Sequence, residues 1–162
     1  RVEVEVLSRL RHPNITTFYG VTAPPNAMIV TELLSGSLFN LIYSPDALNV
    51  SERVWLRILQ DVAAGAAYLH GRNPPLTHRD LSSSNVLLTG SMSDLERDVD
   101  NLRRPLAKVA DFGLSRNVEW YMSSCVGNLY YVAPEVFKGE HYTEKADVRH
   151  SPPIPCMFSF LG

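Results

Sequence analysis

The sequence predicts an α+β fold, because helical and strand-like patterns occupy separate stretches of the chain. One apolar stripe with helical spacing runs through residues 51–70 and predicts a long amphipathic helix. Short apolar runs at 86–88 and 107–110 are typical of buried strands. Two further apolar runs, 15–21 and 27–31, are separated by a Pro-Pro-Asn turn and predict a strand pair.

The boundaries of these elements follow from capping and breaking residues. Residues 1–11 read as the second half of a helix, which His12-Pro13-Asn14 ends. Ser51 is the predicted N-cap of the long helix, and Gly71 with the prolines after it ends that helix. We interpret Ser35-Gly36-Ser37 as a flexible link.

Two stretches do not fit regular elements. Residues 89–105 are rich in charge and predict a surface insertion between two strands. After Val148 the chain places three prolines between positions 152 and 155, which cannot continue a helix. Residues 149–162 are therefore expected to form a divergent, irregular tail.

Composition narrows the class of protein. A chain of 162 residues with 45% hydrophobic residues can form one globular domain. The net charge of -2 gives no electrostatic case for binding nucleic acid or an anionic membrane. No apolar run approaches the roughly 20 residues that a membrane-spanning helix needs. Two isolated cysteines, Cys125 and Cys156, favour neither a zinc site nor a disulfide framework, which suggests a reduced, cytoplasmic setting.

Three motifs carry the chemistry. The first runs from His78-Arg79-Asp80 to Asn85, the second is Asp111-Phe112-Gly113, and the third is Ala133-Pro134-Glu135. Two carboxylates and an amide oxygen suit Mg²⁺, which prefers hard oxygen ligands. Phosphoryl transfer needs charge neutralisation and in-line placement of the attacking hydroxyl rather than covalent chemistry by the protein.

The order and spacing of these motifs resemble the protein kinase family, over nearly all of residues 1–148. The resemblance is to serine/threonine kinases of the tyrosine-kinase-like group. It implies a truncated two-lobed protein kinase fold that contains the end of the N-lobe, the hinge and the upper C-lobe. Residues 1–148 would then be a partial kinase domain, followed by the tail 149–162.

The resemblance assigns a role to each motif residue. Asp80 matches the catalytic aspartate that orients the substrate hydroxyl and accepts its proton. Asn85 and Asp111 match the two magnesium ligands, and all three are the expected catalytic residues. Glu3 matches the helix glutamate that pairs with the ATP-binding lysine.

The nucleotide-binding expectations lie elsewhere in the chain. Thr31, Glu32 and Leu34 match the gatekeeper and hinge, whose backbone would bind adenine, and Leu87 matches a residue beneath the adenine ring. His78 is expected to be a structural core histidine rather than a general base. Further matches are the apolar column members Leu7 and Phe112, the buried aspartate Asp147, and the candidate phosphate acceptors Ser115, Tyr121, Ser123 and Ser124.

The sequence also departs from the family pattern. No glycine-rich loop or lysine-bearing strand precedes Glu3, so we expect the chain to be a fragment of a longer kinase. Ser82 and Asn128 replace the lysine and threonine usual in serine/threonine kinases, and loss of the lysine predicts slower transfer. The tail is expected to deprive Asp147 of its helix.

The function implied by the resemblance is transfer of the γ-phosphoryl group of ATP, with Mg²⁺, to a serine or threonine of a protein substrate. The alternative is a catalytically inactive pseudokinase or scaffold fragment, and a third possibility is an unstable gene fragment. The sequence leaves the substrate, the pathway and the oligomeric state open.

Overall fold

The computed structural model describes residues 2–112, 116–117, 135, 138 and 143–149. Within these ranges, helices are interspersed with short strands, and the longest helix buries one face in the core. The helices are α1 (Val2–Arg9), α2 (Leu38–Ile42), α3 (Glu52–His70), α4 (Met92–Asp98) and α5 (Lys145–Arg149). The strands are β1 (Phe18–Val21), β2 (Ile29–Thr31), β3 (Gly36–Ser37), β4 (Leu76–Thr77), β5 (Val86–Leu88), β6 (Ala107–Val109) and β7 (Arg116–Asn117).

Helix α3 confirms the predicted 51–70 helix. The Ser51 hydroxyl accepts a hydrogen bond from the Val54 amide at 3.3 Å, and Gly71 is the C-cap. The apolar stripe of α3 is buried in the main core, with Val54 and Ile58 fully enclosed. At Gly65 the helix lies so close to its neighbours that a Cβ atom would come within 2.9 Å of the Asn14 carbonyl oxygen and 3.1 Å of the Val109 side chain in β6. A glycine is therefore required for this close packing.

The strands form three small antiparallel sheets, ordered β1-β2, β3-β5-β6 and β4-β7. The predicted strands at 86–88 and 107–110 correspond to β5 and β6, which pair with Leu87 opposite Lys108. The first strand begins at Phe18 rather than Ile15, because the segment before it bonds to β6 instead. Thr16 donates its amide to the Val109 carbonyl at 2.9 Å, and Val109 donates to the Asn14 carbonyl at 2.9 Å.

The prediction of a flexible link at Ser35–Ser37 is wrong. Gly36 and Ser37 form β3 and pair with Leu88 and Leu87, and the Ser35 amide donates to the Leu88 carbonyl at 2.9 Å. Ser37 also caps α2 by accepting a hydrogen bond from the Asn40 amide. The short polar sequence is ordered because neighbouring backbone groups in the sheet bind it.

The 89–105 segment is an insertion that packs against α3. It contains α4, whose capping box joins Ser91 to Asp94, and Leu95 is buried in the core. Glu96 accepts hydrogen bonds from the Ser51 amide at 2.8 Å and the Ser51 hydroxyl at 2.9 Å. Arg57 donates to the carbonyl oxygens of Val99 and Arg104 at 3.5 and 3.3 Å. The insertion therefore has its own fixed place in the fold.

The expectation that Asp147 lacks a helix is wrong, since Asp147 lies within α5 and is 1% exposed. Arg149, the first residue of the predicted irregular tail 149–162, is instead the last residue of α5. The rest of that tail lies outside the described residues, as do the candidate acceptors Ser115, Tyr121, Ser123 and Ser124 and the substituted position Asn128.

Candidate active site

The loop that follows β4 brings Asp80 and Asn85 together. The Asn85 side-chain nitrogen donates to the Asp80 carboxylate at 2.9 Å and to the Asp80 carbonyl at 2.8 Å. Between them, the Ser82 amide donates to the Asp80 carbonyl, and the Asn85 amide donates to the Ser82 carbonyl. These local bonds close the loop into a compact turn and fix the orientation of the Asp80 carboxylate.

The residue before Asp111 is hydrogen-bonded to this turn through its backbone. The Ala110 amide donates to the Asn85 carbonyl at 2.8 Å, which ties the end of β6 to the loop. Asp111 follows in a left-handed conformation, with φ of 60°, and is exposed while Phe112 is buried beneath it. A left-handed φ is uncommon for residues other than glycine, and such conformations cluster at functional sites. Asp111 is therefore exposed, although it lies between the end of β6 and the buried Phe112.

His78 is a buried residue that contacts the Asp80 loop. It is completely buried, its Nε2 lies 3.0 Å from the Ala110 carbonyl, and its Nδ1 accepts from the Asp80 amide at 3.3 Å. These partners assign the proton to Nε2, and the Phe112 ring packs against the imidazole at 5.1 Å between centroids. Burial lowers the pKa of His78, against the opposing effects of Asp147 and other acceptors. His78 is therefore a neutral core histidine, as its sequence context predicts.

Asp147 holds the backbone on the other side of Asp80. Its carboxylate accepts hydrogen bonds from the His78 and Arg79 amides, each at 2.8 Å. It also lies 2.8 Å from the Nε2 atom of His70, the last residue of α3. Arg79 has a φ of 73°, so the Asp147 contacts stabilise a left-handed residue immediately before Asp80.

The predicted adenine-binding residues occupy the segment around β2 and the middle of β5. Thr31 ends β2 and is exposed, Leu34 is half-buried, and Leu87 is half-buried in β5. Glu32 is also half-buried, but its side chain has partners within the protein. Its carboxylate accepts from the Lys108 ammonium at 2.7 and 2.8 Å and from the Thr17 amide at 2.6 Å.

The charge state of Glu32 follows from these contacts. Partial burial acts to raise the pKa of Glu32, but hydrogen bonds from Lys108 and Thr17 outweigh it and leave that pKa below its ordinary value. Glu32 is therefore ionised at neutral pH. Glu3 lies on α1, but its side chain falls outside the described residues, so its predicted lysine partnership stays a prediction.

The residue that motif reasoning missed is Lys108. No local spacing indicates its partner, because Glu32 lies 76 positions earlier in the chain. The only signal in the sequence is a lone lysine inside the apolar run Ala107-Lys108-Val109-Ala110. A charged residue within a buried strand needs a partner, and the fold supplies it.

The donor set fits a magnesium ion. Because the Asn85 nitrogen is committed to Asp80, its amide oxygen is the atom that could ligate a cation, alongside the Asp111 carboxylate. No group of three or more His, Cys, Asp or Glu side chains suited to a metal occurs among the described residues. A site of this kind suits Mg²⁺, which commonly takes one or two protein carboxylates together with substrate phosphates and water.

Within the described residues, the turn that carries Asp80 and Asn85 is therefore hydrogen-bonded to the end of β6, immediately before Asp111. Comparison with known proteins gives the class of protein. The protein kinase domain family matches residues 1–149, and the chain belongs to this family.

Several curated relatives are similar to nine-tenths of the chain. The serine/threonine-protein kinase CTR1 of Arabidopsis thaliana is 45% identical over 152 residues, which are 90% of this chain and 17% of that protein. The probable serine/threonine-protein kinase SIS8 of the same plant is 44% identical, covering 91% of this chain and 14% of its own length. The dual specificity protein kinase splA of Dictyostelium discoideum is 39% identical, covering 90% and 6%. The chain thus spans less than a fifth of the length of each of these relatives.

Among the described residues, no helix combines the length and apolar character needed to cross a bilayer.

Proposed function

We propose that this chain carries the catalytic centre of a protein kinase that transfers the γ-phosphoryl group of ATP to serine or threonine hydroxyls of a protein substrate. The observation that carries the proposal is the single hydrogen-bonded unit formed by the Asp80 loop and the end of β6. In that unit the Asn85 side chain bonds to Asp80, and the Asn85 carbonyl accepts from Ala110, which precedes Asp111.

Each residue of the unit has a role in the proposed reaction. Asp80 would orient the substrate hydroxyl and accept its proton as the oxygen attacks the γ-phosphorus and ADP leaves. Asn85 and Asp111 would hold Mg²⁺, which supplies neutralisation of phosphate charge when it is bound. The Asn85 hydrogen bond limits the directions that the Asp80 carboxylate can take, which favours a fixed position for the incoming hydroxyl.

The nucleotide base would lie at the segment after β2. Thr31, Glu32 and Leu34 belong to that segment, where backbone groups would bind adenine, and Leu87 would lie beneath the ring. The exposed position of Leu33, at 97%, agrees with an open segment rather than a core strand. Because the Glu32 side chain is bound to Lys108, any adenine contact at Glu32 would come from its backbone.

The substrate class and setting are inferred from the relatives and the composition. Of the three relatives described above, two are named serine/threonine-protein kinases and one a dual specificity protein kinase, so we assign serine or threonine as the acceptor. The two isolated cysteines suit a reducing cytoplasmic compartment. The inactive scaffold reading is not favoured, because Asp80, Asn85 and Asp111 are all retained.

A radiolabel transfer assay tests the proposal. The chain is incubated with γ-labelled ATP, Mg²⁺ and dephosphorylated casein, and the labelled residues are identified by phosphoamino acid analysis. We expect label on serine or threonine, and we expect Asp80→Asn to reduce the rate at least about 100-fold, as for loss of a general base. Asp46→Asn is the matched control, because Asp46 is an exposed carboxylate on the separate 3₁₀ turn Pro45–Asn49.

Two results would count against the proposal. Equal transfer by the Asp80 and Asp46 variants would remove Asp80 from the chemistry. Tight binding of Mg·ATP without any transfer would instead favour the scaffold alternative.

A further inference from the structure

One ion pair connects the proposed adenine segment to the strand that precedes Asp111. Both carboxylate oxygens of Glu32 lie within 2.8 Å of the Lys108 ammonium. The two side chains are only 18% and 13% exposed, so the pair is shielded from water on most sides. By contrast, the pair formed by Arg53 and Asp100 has side chains 66% and 72% exposed. Shielded ion pairs with good geometry cost much more to break than exposed ones.

Lys108 lies between the residues proposed to bind adenine and the proposed metal ligand Asp111. Lys108 is the central residue of β6 and lies three residues before Asp111. Its cross-strand partner is Leu87, so both side chains lie on the same face of the β3-β5-β6 sheet. Leu87 is the residue proposed to lie beneath adenine. The ammonium therefore extends along the nucleotide-facing side of the sheet toward the segment after β2.

Glu32 is held at a fixed place by a third contact. Its carboxylate also accepts from the Thr17 amide at 2.6 Å, while the Glu32 amide donates to the Thr17 carbonyl at 2.9 Å. These bonds attach Glu32 to the start of β1, so the carboxylate is an anchored acceptor. The Lys108 contact then links the β1-β2 sheet to β6 through side chains, beside the backbone bonds of residues 14–16 to Val109.

We infer that Glu32 and Lys108 are positioning residues that set the spacing between the adenine segment and Asp111. One ATP molecule must reach both places at once, with its base at the adenine segment and its phosphates at the metal site. Fixing that spacing in advance lowers the cost of ordering the protein when the nucleotide binds. The inference rests on the proposed function, and it assigns to the Glu32 side chain a role apart from contact with the nucleotide.

Two ligands distinguish a role in setting the distance between the adenine segment and Asp111 from a role in stabilising the adenine segment alone. Adenosine occupies the adenine segment alone, whereas Mg·ATP spans both places. Lys108→Met removes the ammonium and keeps the stem, and we expect it to weaken Mg·ATP binding about fivefold or more while changing adenosine affinity less than about twofold. Lys108→Arg can still donate two hydrogen bonds to Glu32, so we expect its Mg·ATP affinity to stay within about twofold of the wild type.

Two further variants make the test independent of folding defects. Glu32→Gln keeps one oxygen for the Thr17 amide and should lower Mg·ATP affinity in the same direction as Lys108→Met. The double variant should be no weaker than the worse single variant, because both remove one interaction. The matched control is Arg53→Met with Asp100→Asn, which removes an exposed ion pair on α3 and the insertion. We expect this control to leave both affinities unchanged.

The measurement is a calorimetric titration of the 162-residue chain with each ligand. Urea unfolding at the same temperature checks that every variant is folded before it is titrated. Equal losses for adenosine and Mg·ATP would overturn the inference in favour of general support of the adenine segment. Unchanged affinities with reduced stability would overturn it in favour of a structural ion pair. Failure of the wild-type chain to bind Mg·ATP would contradict the proposed function itself.

Discussion

Asp61 and Asp147 hold two different loops by the same arrangement. Asp61, on α3, accepts from the Leu106 and Ala107 amides at 2.6 and 3.2 Å and pairs with Arg57 at 3.2 Å. Asp147, on α5, accepts from the His78 and Arg79 amides and contacts His70. Both carboxylates are buried, and each binds two successive backbone amides and one basic side chain.

The two arrangements differ in their basic partner and in the segment they hold. Arg57 carries a permanent charge, and Asp61 fixes the start of β6 where the insertion ends. The partner of Asp147 is the imidazole of His70, and Asp147 fixes a left-handed residue next to Asp80. The same arrangement therefore holds the start of a core strand in one region and the loop of the proposed catalytic residue Asp80 in the other.

The largest expected effect is on stability, from Asp61→Ala. The substitution removes the acceptor of two backbone amides and the charged partner of the buried Arg57 guanidinium, so we expect a loss of about 3–5 kcal/mol in the free energy of unfolding. Urea denaturation measures it, and Asp61→Asn, which keeps one acceptor oxygen, should lose less. A loss below about 1 kcal/mol would show that water replaces the carboxylate and that the pair with Arg57 matters little.

Asp147→Asn is expected to cost less stability but to impair the site. One amide must face a nitrogen instead of an oxygen, which predicts a loss of about 1–3 kcal/mol. Because the Arg79 conformation is no longer held, we also expect phosphoryl transfer by the folded protein to fall more than tenfold, whereas Asp61→Asn leaves it within about twofold of the wild type. Rate measurements below both unfolding transitions check this, and equal rates for the two variants would remove the distinction.

The smallest expected effect is on pH dependence. Burial lowers the pKa of His78 in the folded chain, so the unfolded chain takes up a proton that the folded chain does not. Stability is therefore complete above the unfolded pKa of about 6.5 and is lost as the pH falls below it, by up to about 1.4 kcal/mol per pH unit for one proton. Among the described residues, the hydrogen-bond and ion-pair partners of Arg57 and Asp61 include no histidine, so we expect their region not to share this dependence.

Hydrogen exchange corrected for intrinsic pH effects measures that difference. Between pH 7 and 5.5, protection should fall more for residues 76–80 than for residues 106–109. His12→Gln is the control, because burial also lowers the pKa of His12 in a contact with Tyr68 that is separate from the Asp80 loop. Protection of residues 76–80 that stays unchanged between pH 7 and 5.5 would contradict the assignment of proton uptake to His78.

Local patterns in the sequence predicted the central elements of the fold correctly. The 51–70 stripe and the apolar runs of β5 and β6 succeeded because their periodicity matches the buried face that each element presents. The strand pairing of Ser35–Ser37 and the helix within the 89–105 insertion were not predicted, for the opposite reason. Their order depends on β5 and α3, which lie far away in the chain, although Ser91 and Asp94 do have the spacing of a capping box.

The site was predictable to the extent that motifs fix residue types at fixed spacing. Asp80 and Asn85 were matched to one motif by the resemblance to protein kinases, and the structure joins them by hydrogen bonds in one turn. Lys108 and Asp61 were not predictable, because their partners lie 76 and 45 positions away and no alternation or capping pattern connects them. Long-range polar contacts between buried side chains depend on the completed fold.

The most direct test of the central claim is calorimetric titration of ATP into the chain with and without Mg²⁺, for the wild type and for Asp111→Asn. If Asn85 and Asp111 form one metal and phosphate site, Mg²⁺ should strengthen ATP binding to the wild type by about tenfold, or about 1.4 kcal/mol. Most of that gain should disappear in the variant, while affinity without metal stays the same. ATP affinity that is indifferent to Mg²⁺ in the wild type, or an equal metal effect in both proteins, would contradict the account.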